Sequence, residues 1–256
     1  MTTFYESYIK EELSQVSFFK EEEKTEEDVS VNEVYYKSGK DQIVIRDLIL
    51  KRFAYRPAPI VVLNFQNELG FGSEEDTFIQ KLLKLGTRVI LAKHSYYDTE
   101  EENGFHNLGI AYWIPNMVAM KLCCQYLVKS NYLRDLSFIS MNGLTSCTLA
   151  AIVSQNINCN QLYFINGLMD FEYLSDQNLW NTVFSTGYYS LEEEVRKFPL
   201  QEFPELHYLN PYRLFTEAKA LDKTYFDNFT FFQDLNIKPI PYESIEEVFT
   251  YILDRI

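Results

Sequence analysis

The sequence is poor in positive charge and in histidine, and these shortages exclude several classes of function. Lysine and arginine together number 23 against 37 acidic residues, which gives a formal net charge of −14. An acidic surface repels nucleic-acid phosphates and anionic lipids, so non-specific binding to either is not expected. The 3 histidines and 4 cysteines show no zinc-ligand spacing, so we expect neither a metal nor another cofactor.

Long apolar runs and a secretory leader are also missing. No stretch approaches the roughly 18 apolar residues that cross a bilayer. The N-terminus has no basic start followed by an apolar core. The cysteines lie in apolar surroundings without a CxxC pair, which is typical of buried free thiols in a reducing compartment: Cys123, Cys124, Cys147 and Cys159. We therefore expect a cytoplasmic protein with no membrane span.

The chain is long and apolar enough for one α/β domain. It has 256 residues, of which 46% are hydrophobic, so it can bury a large core. Residues 1–30 form an acidic N-terminal segment, and residues 31–256 are predicted to form the domain. Within the segment, Glu21–Asp28 is typical of a solvated linker, with a partner-docking segment as the alternative.

Apolar runs alternate with amphipathic stretches over most of the chain. A β-hairpin is predicted from Glu33–Tyr36 and Gln42–Leu50, and helices from Ser73 to Gly86 and from Ala111 to Val128. Continuous apolar runs predict four buried strands: Ile60–Phe65, Thr87–Ala92, Leu136–Ile139 and Gln161–Asn166. This alternation predicts an α/β protein with a mainly parallel sheet flanked by helices.

The last third of the chain has a less regular pattern. Residues 168–225 are rich in Tyr, Phe, Leu and Glu, and we interpret them as a helical cap or insertion over the sheet. A strand is predicted at Phe229–Gln233, a turn at Ile237–Pro241, and a closing amphipathic helix at Tyr242–Ile256.

The stretch Asp135–Val153, DLSFISMNGLTSCTLAAIV, has the organisation of a nucleophile elbow. An apolar strand ends in a tight turn of small and polar residues, Ser140 to Gly143, and a helical pattern follows. In such an elbow a strained turn lifts one side chain above the sheet. The G-x-S-x-G motif of that turn is missing here.

Taken together, the order of elements resembles the α/β-hydrolase fold over roughly residues 33–256. The phrase PIVVLNF resembles the strand that starts the oxyanion loop, and DLSFISMNG resembles the passage into the elbow. The closing IKPIPYESIEEVFTYIL resembles the segment after the acid-bearing strand, where a Pro precedes a helix. The resemblance implies a serine, acid and histidine triad, in that chain order.

Two alignments of the elbow are open. One places Ser140 at the first glycine of the motif and Asn142 at the nucleophile, where no acyl-enzyme could form. The other shifts the alignment by two residues, so that Ser140-Met141-Asn142-Gly143 resembles Ser-Met-Gly-Gly and Ser140 becomes the nucleophile. The first keeps the strand at its usual length and is favoured.

The acid and the base of the implied triad are displaced from their usual positions. Asp234, at the end of the predicted strand Phe229–Gln233, is the nearest candidate acid, and Asp170 is a second. The base should follow the last strand, but that strand and its histidine loop are expected to be absent. An unusual placement of His207 or His106 would be needed, and an ordinary structural or surface role is favoured for both and for His94.

The oxyanion positions are altered as well. Asn64-Phe65 stands where the family has His-Gly, although the backbone N–H groups of Gln66 and Gly143 could still converge. With Met141, these residues are the predicted ligand-binding positions: Asn64, Phe65, Gln66, Met141 and Gly143.

Two hypotheses follow from the resemblance and its departures. The favoured one is a non-catalytic α/β-hydrolase-fold protein that binds a protein partner or an acyl-type ligand. The alternative is an active serine esterase, thioesterase or acyl transferase that uses Ser140. Whether a second subunit supplies the missing strand is left open by the sequence.

Overall fold

The computed structural model describes nine parts of the chain: residues 13–38, 41–64, 73–94, 110–141, 147–148, 151–152, 155–165, 212–217 and 240–256. Nine strands form one sheet: β1 Val16–Glu26, β2 Val29–Ser38, β3 Asp41–Leu50, β4 Ile60–Asn64, β5 Arg88–His94, β6 Leu136–Met141, β7 Gln161–Ile165, β8 Tyr212–Glu217 and β9 Ile240–Tyr242. Three helices accompany them: α1 Ser73–Leu85, α2 Ile110–Lys129 and α3 Ile245–Leu253.

The strands are ordered β1-β2-β3-β5-β4-β6-β7-β8-β9 across the sheet. The pairs β1–β2, β2–β3 and β3–β5 are antiparallel, and all pairs from β5–β4 to β8–β9 are parallel. The prediction of an α/β fold with a mainly parallel sheet is therefore confirmed. The leading antiparallel strands make the sheet mixed.

The leading strands form an antiparallel meander that is longer than the predicted hairpin. The predicted hairpin corresponds to β2 and β3, which pair in continuous register from Val29–Leu50 to Ser38–Asp41. The linker interpretation of Glu21–Asp28 is wrong, because Val16–Glu26 forms β1 and pairs with β2. The domain boundary placed at residue 30 thus falls inside β2.

Helices cover both faces of the sheet, and alternate residues of each strand point to opposite faces. Val61 and Leu63 of β4 belong to a buried cluster with residues of α1 and α3, in which the rings of Phe78 and Phe249 stack 4.2 Å apart. The other face of β4 includes Asn64, which contacts α2. Because side chains on both faces of the parallel strands are buried, their sequences are almost continuously apolar.

Helix α1 lies where the sequence predicts it and ends at the predicted glycine. Gly86 has φ of +91°, and the N–H groups of Gly86 and Thr87 donate to the carbonyl oxygens of Leu83 and Leu82. Such a left-handed residue satisfies carbonyls at a helix end and favours glycine. The predicted helix from Ala111 to Val128 is confirmed as α2.

Two predictions in the last third of the chain are corrected. Tyr212–Glu217, inside the stretch interpreted as a cap, forms β8 of the sheet. Ile240–Tyr242, within and just beyond the predicted turn, forms β9 beside β8. The expectation that the last strand is absent is therefore wrong. The rest of residues 168–225 and the predicted strand Phe229–Gln233 lie outside the described residues.

The prediction of buried thiols is confirmed, since all four cysteines are buried and none of them forms a disulfide within the described residues: Cys123, Cys124, Cys147 and Cys159. In the described part of the chain, no helix is long and apolar enough to cross a membrane. The described residues also contain no group of three or more His, Cys, Asp or Glu side chains placed to hold a metal ion.

Candidate functional site

The ends of β4 and β6 bring two of the predicted site residues together. These strands are parallel neighbours, and Asn64 lies directly beside Ser140 in their register. Asn64 is the last residue of β4, and Met141 is the last residue of β6. Both strands therefore end at one edge of the sheet, where ligands of open α/β sheets bind.

The side chain of Asn64 lies in a buried cluster of neutral polar groups. Its Nδ2 donates to Oδ1 of Asn116 on α2 at 3.1 Å and to Oγ1 of Thr148 at 2.9 Å. Nδ2 of Asn116 donates back to Oδ1 of Asn64 at 3.3 Å. The three residues are 3%, 2% and 0% exposed, respectively. We call Asn64, Asn116 and Thr148 the amide cluster.

The amide cluster links three elements at the edge of the sheet. Asn64 ends β4, Asn116 lies on α2, and Thr148 belongs to the helical residues that follow the elbow. Buried amides in an apolar surrounding are stable only when they are hydrogen-bonded. The cluster therefore fixes the positions of these elements relative to one another.

Asn116 and Thr148 were not singled out from the sequence. Asn116 had a detectable signal, because it is a lone amide in the apolar stretch IAYWIPNMVAM. A polar residue inside a buried helix needs a partner. Thr148 had no such signal, since nothing in its neighbourhood shows that its hydroxyl meets β4.

Ser140 is enclosed within β6. Its side chain is fully buried, and among the described residues its Oγ has no hydrogen-bond partner. Because Ser140 is in register with Asn64, its side chain points to the face covered by Thr148 and α2. A small residue is needed at such a position, where a strand passes close beneath a helix. This environment fits the first glycine of the elbow motif better than the nucleophile.

The length of β6 agrees with this placement. The strand continues through Ser140 to Met141, two residues beyond the predicted end at Ile139. Met141 is thus the last residue of β6, and the next residue in the chain is Asn142. Asn142 and Gly143 lie outside the described residues, as do Phe65 and Gln66 of the predicted oxyanion loop.

The candidate acids and bases are not brought into the described site. Asp170, Asp234, His106 and His207 lie outside the described residues. His94 is the last residue of β5, so its backbone lies at the same edge of the sheet as the ends of β4 and β6.

The loop after the last strand is described in full. Glu243 and Ser244 connect β9 to α3, and the N–H of Glu243 donates to Oε2 of Glu247 at 3.0 Å. All three histidines precede β9 in the sequence. In the chain order serine, acid, histidine, the histidine follows the last strand. In this chain Glu243 and Ser244 stand at that position.

A second buried cluster lies at the other end of α2 and contains charged groups. Nη1 of Arg88 lies 2.7 and 2.8 Å from the two carboxylate oxygens of Asp47, and the hydroxyl of Tyr126 donates to Asp47 at 2.7 Å. Asn32 donates to the hydroxyl of Tyr126 at 3.3 Å, and the guanidinium of Arg88 packs on the ring of Tyr132. We call these five residues the aspartate cluster.

Burial dominates the electrostatics of the aspartate cluster. It raises the pKa of Asp47 above its usual range, against the charge of Arg88 and the hydrogen bonds from Tyr126 and Arg88. Burial and the nearby carboxylate of Asp47 raise the pKa of Tyr126. Arg88 opens β5, at the opposite end of that strand from His94, so this cluster is remote from the carboxyl edge.

Comparison by sequence finds nothing: no protein-family model matches the chain, and no curated protein matches it significantly. Comparison by structure finds esterases and related hydrolases. Est1E from Butyrivibrio proteoclasticus superposes with a TM-score of 0.59 at 11% identity, covering 87% of this chain and 96% of Est1E. Acetyl xylan esterase 1 from Thermoanaerobacterium sp. JW/SL YS485 gives a TM-score of 0.55 at 10% identity, covering 98% of this chain and 93% of that one.

A dienelactone hydrolase from Anabaena variabilis is also similar, with a TM-score of 0.54 at 10% identity and coverage of 92% and 95%. The chain has the α/β-hydrolase fold. The likeness extends over most of both chains. At this level of identity it establishes the fold and leaves the chemistry to the site.

Within an α/β-hydrolase fold, the described elements have clear equivalents. In such folds the oxyanion loop and the nucleophile elbow follow two parallel strands of the sheet, and β4 and β6 are parallel neighbours here. Asn64, Ser140 and Met141 thus lie at the strand ends from which such a site is built. The amide cluster lies directly beneath it.

Proposed function

We propose that this chain uses the α/β-hydrolase fold to bind an acyl or ester compound at the ends of β4 and β6, with Ser140 in a structural role. The observation that carries the proposal is the full burial of Ser140 in β6, where no described residue offers its Oγ a hydrogen bond. A nucleophile must be exposed at the turn and within hydrogen-bond reach of a base. Ser140 meets neither requirement among the described residues.

The position of Asn142 supports the same proposal. β6 extends to Met141, which agrees with the favoured alignment, in which Asn142 stands at the nucleophile position. The amide of Asn142 can donate and accept hydrogen bonds but cannot serve as a nucleophile. Backbone N–H groups that converge on an oxyanion would equally bind a ground-state carbonyl oxygen. Binding of a carbonyl compound therefore requires only parts that this sequence retains.

The loop Glu243–Ser244 is the second support. A histidine at this position would complete the usual triad, and the chain contains no histidine beyond β9. General-base catalysis by the usual route would therefore have to recruit a histidine from an earlier part of the chain.

Ester hydrolysis or acyl transfer is the second candidate function, and the structural neighbours favour it at least as well as binding. Two of the three compared proteins are esterases and the third is a dienelactone hydrolase. In this alternative Asp234 or Asp170 acts as the acid. The base is His207 or His106, or His94, whose backbone lies at the same sheet edge.

The deciding experiment combines turnover and binding on the same preparations. Short and long p-nitrophenyl esters test hydrolysis, a fluorophosphonate probe tests for an activated serine, and a long-chain trifluoromethyl ketone tests binding by calorimetry. The wild-type chain is compared with Ser140→Ala and Asn142→Ala, and Ser130→Ala serves as a matched control. We expect ketone binding without turnover or labelling, and a loss of binding in Asn142→Ala.

The other outcomes separate the candidates. Turnover and labelling that disappear only in Ser140→Ala would establish an active serine hydrolase and overturn the structural role of Ser140. Turnover that survives in Ser140→Ala and is lost in a histidine variant would indicate hydrolysis by another group. Absence of both binding and turnover in folded protein would contradict both candidates.

A further inference from the structure

The outer strand of the sheet, β1, has one backbone edge unpaired in the described part of the chain. It has 11 residues and is the first strand in the sheet order, so β2 is its only partner among the described strands. The N–H and C=O groups of such an edge can receive another strand. β1 is long and contains no proline, and a bulge between Phe18 and Lys20 and its charged side chains are what protect its edge. A partner of opposite charge would meet attraction rather than repulsion from these acidic side chains.

The side chains of β1 are open to solvent. Every residue from Glu21 to Asp28 is exposed. Near the start of the strand, Phe18 is 58% exposed and Phe19 is 47% exposed. The exposed edge therefore combines an apolar end with an acidic end.

The two faces of β1 differ in how their charges are balanced. On one face Lys20 pairs with Glu22 at 2.8 Å and Lys24 pairs with Glu26 at 3.0 Å. On the other face Glu21 and Glu23 lie opposite neutral residues of β2, Val34 and Asn32.

Among the described residues, neither Glu21 nor Glu23 forms an ion pair. Glu21 accepts a hydrogen bond from Nδ2 of Asn32 at 2.8 Å, which leaves its negative charge uncompensated. The uncompensated charges are two residues apart, which is the repeat of side chains along one face of a strand.

We propose that β1 docks an extended, basic segment of a partner protein, which adds to the sheet as a further strand. Backbone hydrogen bonds would provide affinity, and lysine or arginine at alternate positions of the segment would face Glu21 and Glu23. An aliphatic residue toward one end of the segment would contact Phe18, which lies on the same face as Glu21 and Glu23. This inference is independent of the acyl site, because β1 lies at the opposite side of the meander from β4 and β6.

Charge argues against a second copy of the chain as the occupant. An antiparallel pairing of two β1 strands centred on Glu22 sets Glu22 opposite Glu22 and Glu21 opposite Glu23. Like charges directly opposite each other destabilise a sheet. A basic segment replaces each of these repulsions by an attraction.

The test uses the full chain and a fluorescein-labelled synthetic peptide of alternating lysine and threonine, matched in length to β1. Binding is followed by fluorescence anisotropy at low and moderate salt. An acidic peptide of alternating glutamate and threonine controls for charge. A peptide with the lysine sequence and N-methylated backbone controls for strand pairing, since it keeps the charge and loses the donors.

We expect saturable binding of the lysine peptide alone. The double variant Glu21→Lys/Glu23→Lys should bind it about tenfold more weakly, because attractive cross-strand pairs become repulsive. The matched control Asp76→Lys/Asp254→Lys makes the same change in net charge at exposed sites outside β1 and should bind as the wild type does.

Three results would overturn the proposal. Equal binding of the N-methylated peptide would show general electrostatic attraction rather than strand addition. An equal loss in the control variant would show that net charge alone determines affinity. Self-association of the wild-type chain in sedimentation experiments, if abolished by the peptide, would make a second copy the occupant of β1.

Discussion

Helix α2 is held to the sheet by two buried polar clusters that differ in kind. Near its start, Asn116 joins the amide cluster with Asn64 and Thr148, and all three groups are neutral. Near its end, Tyr126 joins the aspartate cluster, in which Asp47 and Arg88 carry charge. The same helix is therefore held to the sheet by a neutral polar cluster near one end and by a charged cluster near the other.

The difference follows from what each end of the helix has to support. A neutral cluster holds its geometry at any pH and in any salt, because none of its members titrates. It lies beneath the ends of β4 and β6, where a ligand is proposed to bind. A charged cluster is strong only while both ions are paired and hydrogen-bonded. It lies where β3, β5 and α2 meet, away from that edge.

The largest expected effect tests the aspartate cluster. Asp47→Ala leaves Arg88, whose side chain is 14% exposed, without its carboxylate partner. Removing one member of a buried ion pair costs about 3–5 kcal/mol. Urea denaturation should show this loss in the free energy of unfolding. Asp28→Ala, at an exposed turn, is the control and should change stability by at most about 0.5 kcal/mol.

A somewhat smaller effect is expected in the amide cluster. Asn64→Ala removes the groups that Asn116 and Thr148 contact, and a buried unsatisfied partner costs about 1–3 kcal/mol. The loss should be the same at low and high salt, in contrast to that of an ion pair. A double-mutant cycle with Asn116→Ala measures the coupling, and Asn160→Ala is an exposed control. A strong salt dependence would contradict the assignment of a neutral cluster.

The strands of the sheet differ greatly in how well the sequence predicts them. The apolar runs of β4, β5, β6 and β7 predict buried strands because both of their faces are covered. The sequence does not predict β1, because its charged side chains are exposed on both faces and resemble those of a solvated linker. Only pairing with β2 makes it a strand, and that pairing is not visible locally.

The candidate site shows the same contrast. The sequence points to Asn64 and Ser140 because both follow apolar runs that end at one sheet edge. It does not show that Asn64 contacts Asn116 and Thr148, which are far away in the chain. β9 was interpreted as a turn because IKPIP contains two prolines, which are tolerated in a strand at the edge of a sheet.

A third prediction concerns the pH dependence of stability, to which Glu33 and Asp47 of the meander contribute with opposite signs. Burial acts to raise the pKa of Glu33, but hydrogen bonds from Tyr35 and Lys24 and the charge of Arg46 outweigh it and hold that pKa below its usual value. A lowered pKa in the folded state stabilises the fold above the unfolded-state pKa. This stability is lost as the pH falls through the folded-state pKa.

Glu33→Gln should therefore lose less stability than the wild type between about pH 7 and about pH 3. Urea denaturation at several pH values measures this difference, and Glu22→Gln at an exposed ion pair is the control. The effect of Asp47 on the pH dependence has the opposite sign. Because its pKa is raised in the folded state, its contribution to stability falls as the pH rises through the folded-state pKa. If Glu33→Gln lost as much stability as the wild type over this acidic range, the assigned direction of the pKa shift would be contradicted.

The smallest effect is expected for Ser140→Ala and has the opposite sign. This change removes a buried hydroxyl that has no hydrogen-bond partner among the described residues, and it should stabilise the fold by up to about 1 kcal/mol. Ser140→Thr adds a methyl group beneath the helical residues after the elbow and should destabilise it by about 1–3 kcal/mol. Both are measured by urea denaturation. A clear loss of stability in Ser140→Ala would mean that the hydroxyl has a partner.

The meander described above also has a consequence for the order in which the chain folds. β1, β2 and β3 are neighbours in sequence and pair through short turns, so they can form while the chain is being synthesised. The free edge of β3 is covered only by β5, which follows α1 in the chain. Until β5 is made, β3 exposes an unpaired edge with apolar residues such as Ile43 and Ile45. A chain arrested between β3 and β5 would therefore be prone to aggregate, and the speed of synthesis through α1 sets how long that hazard lasts.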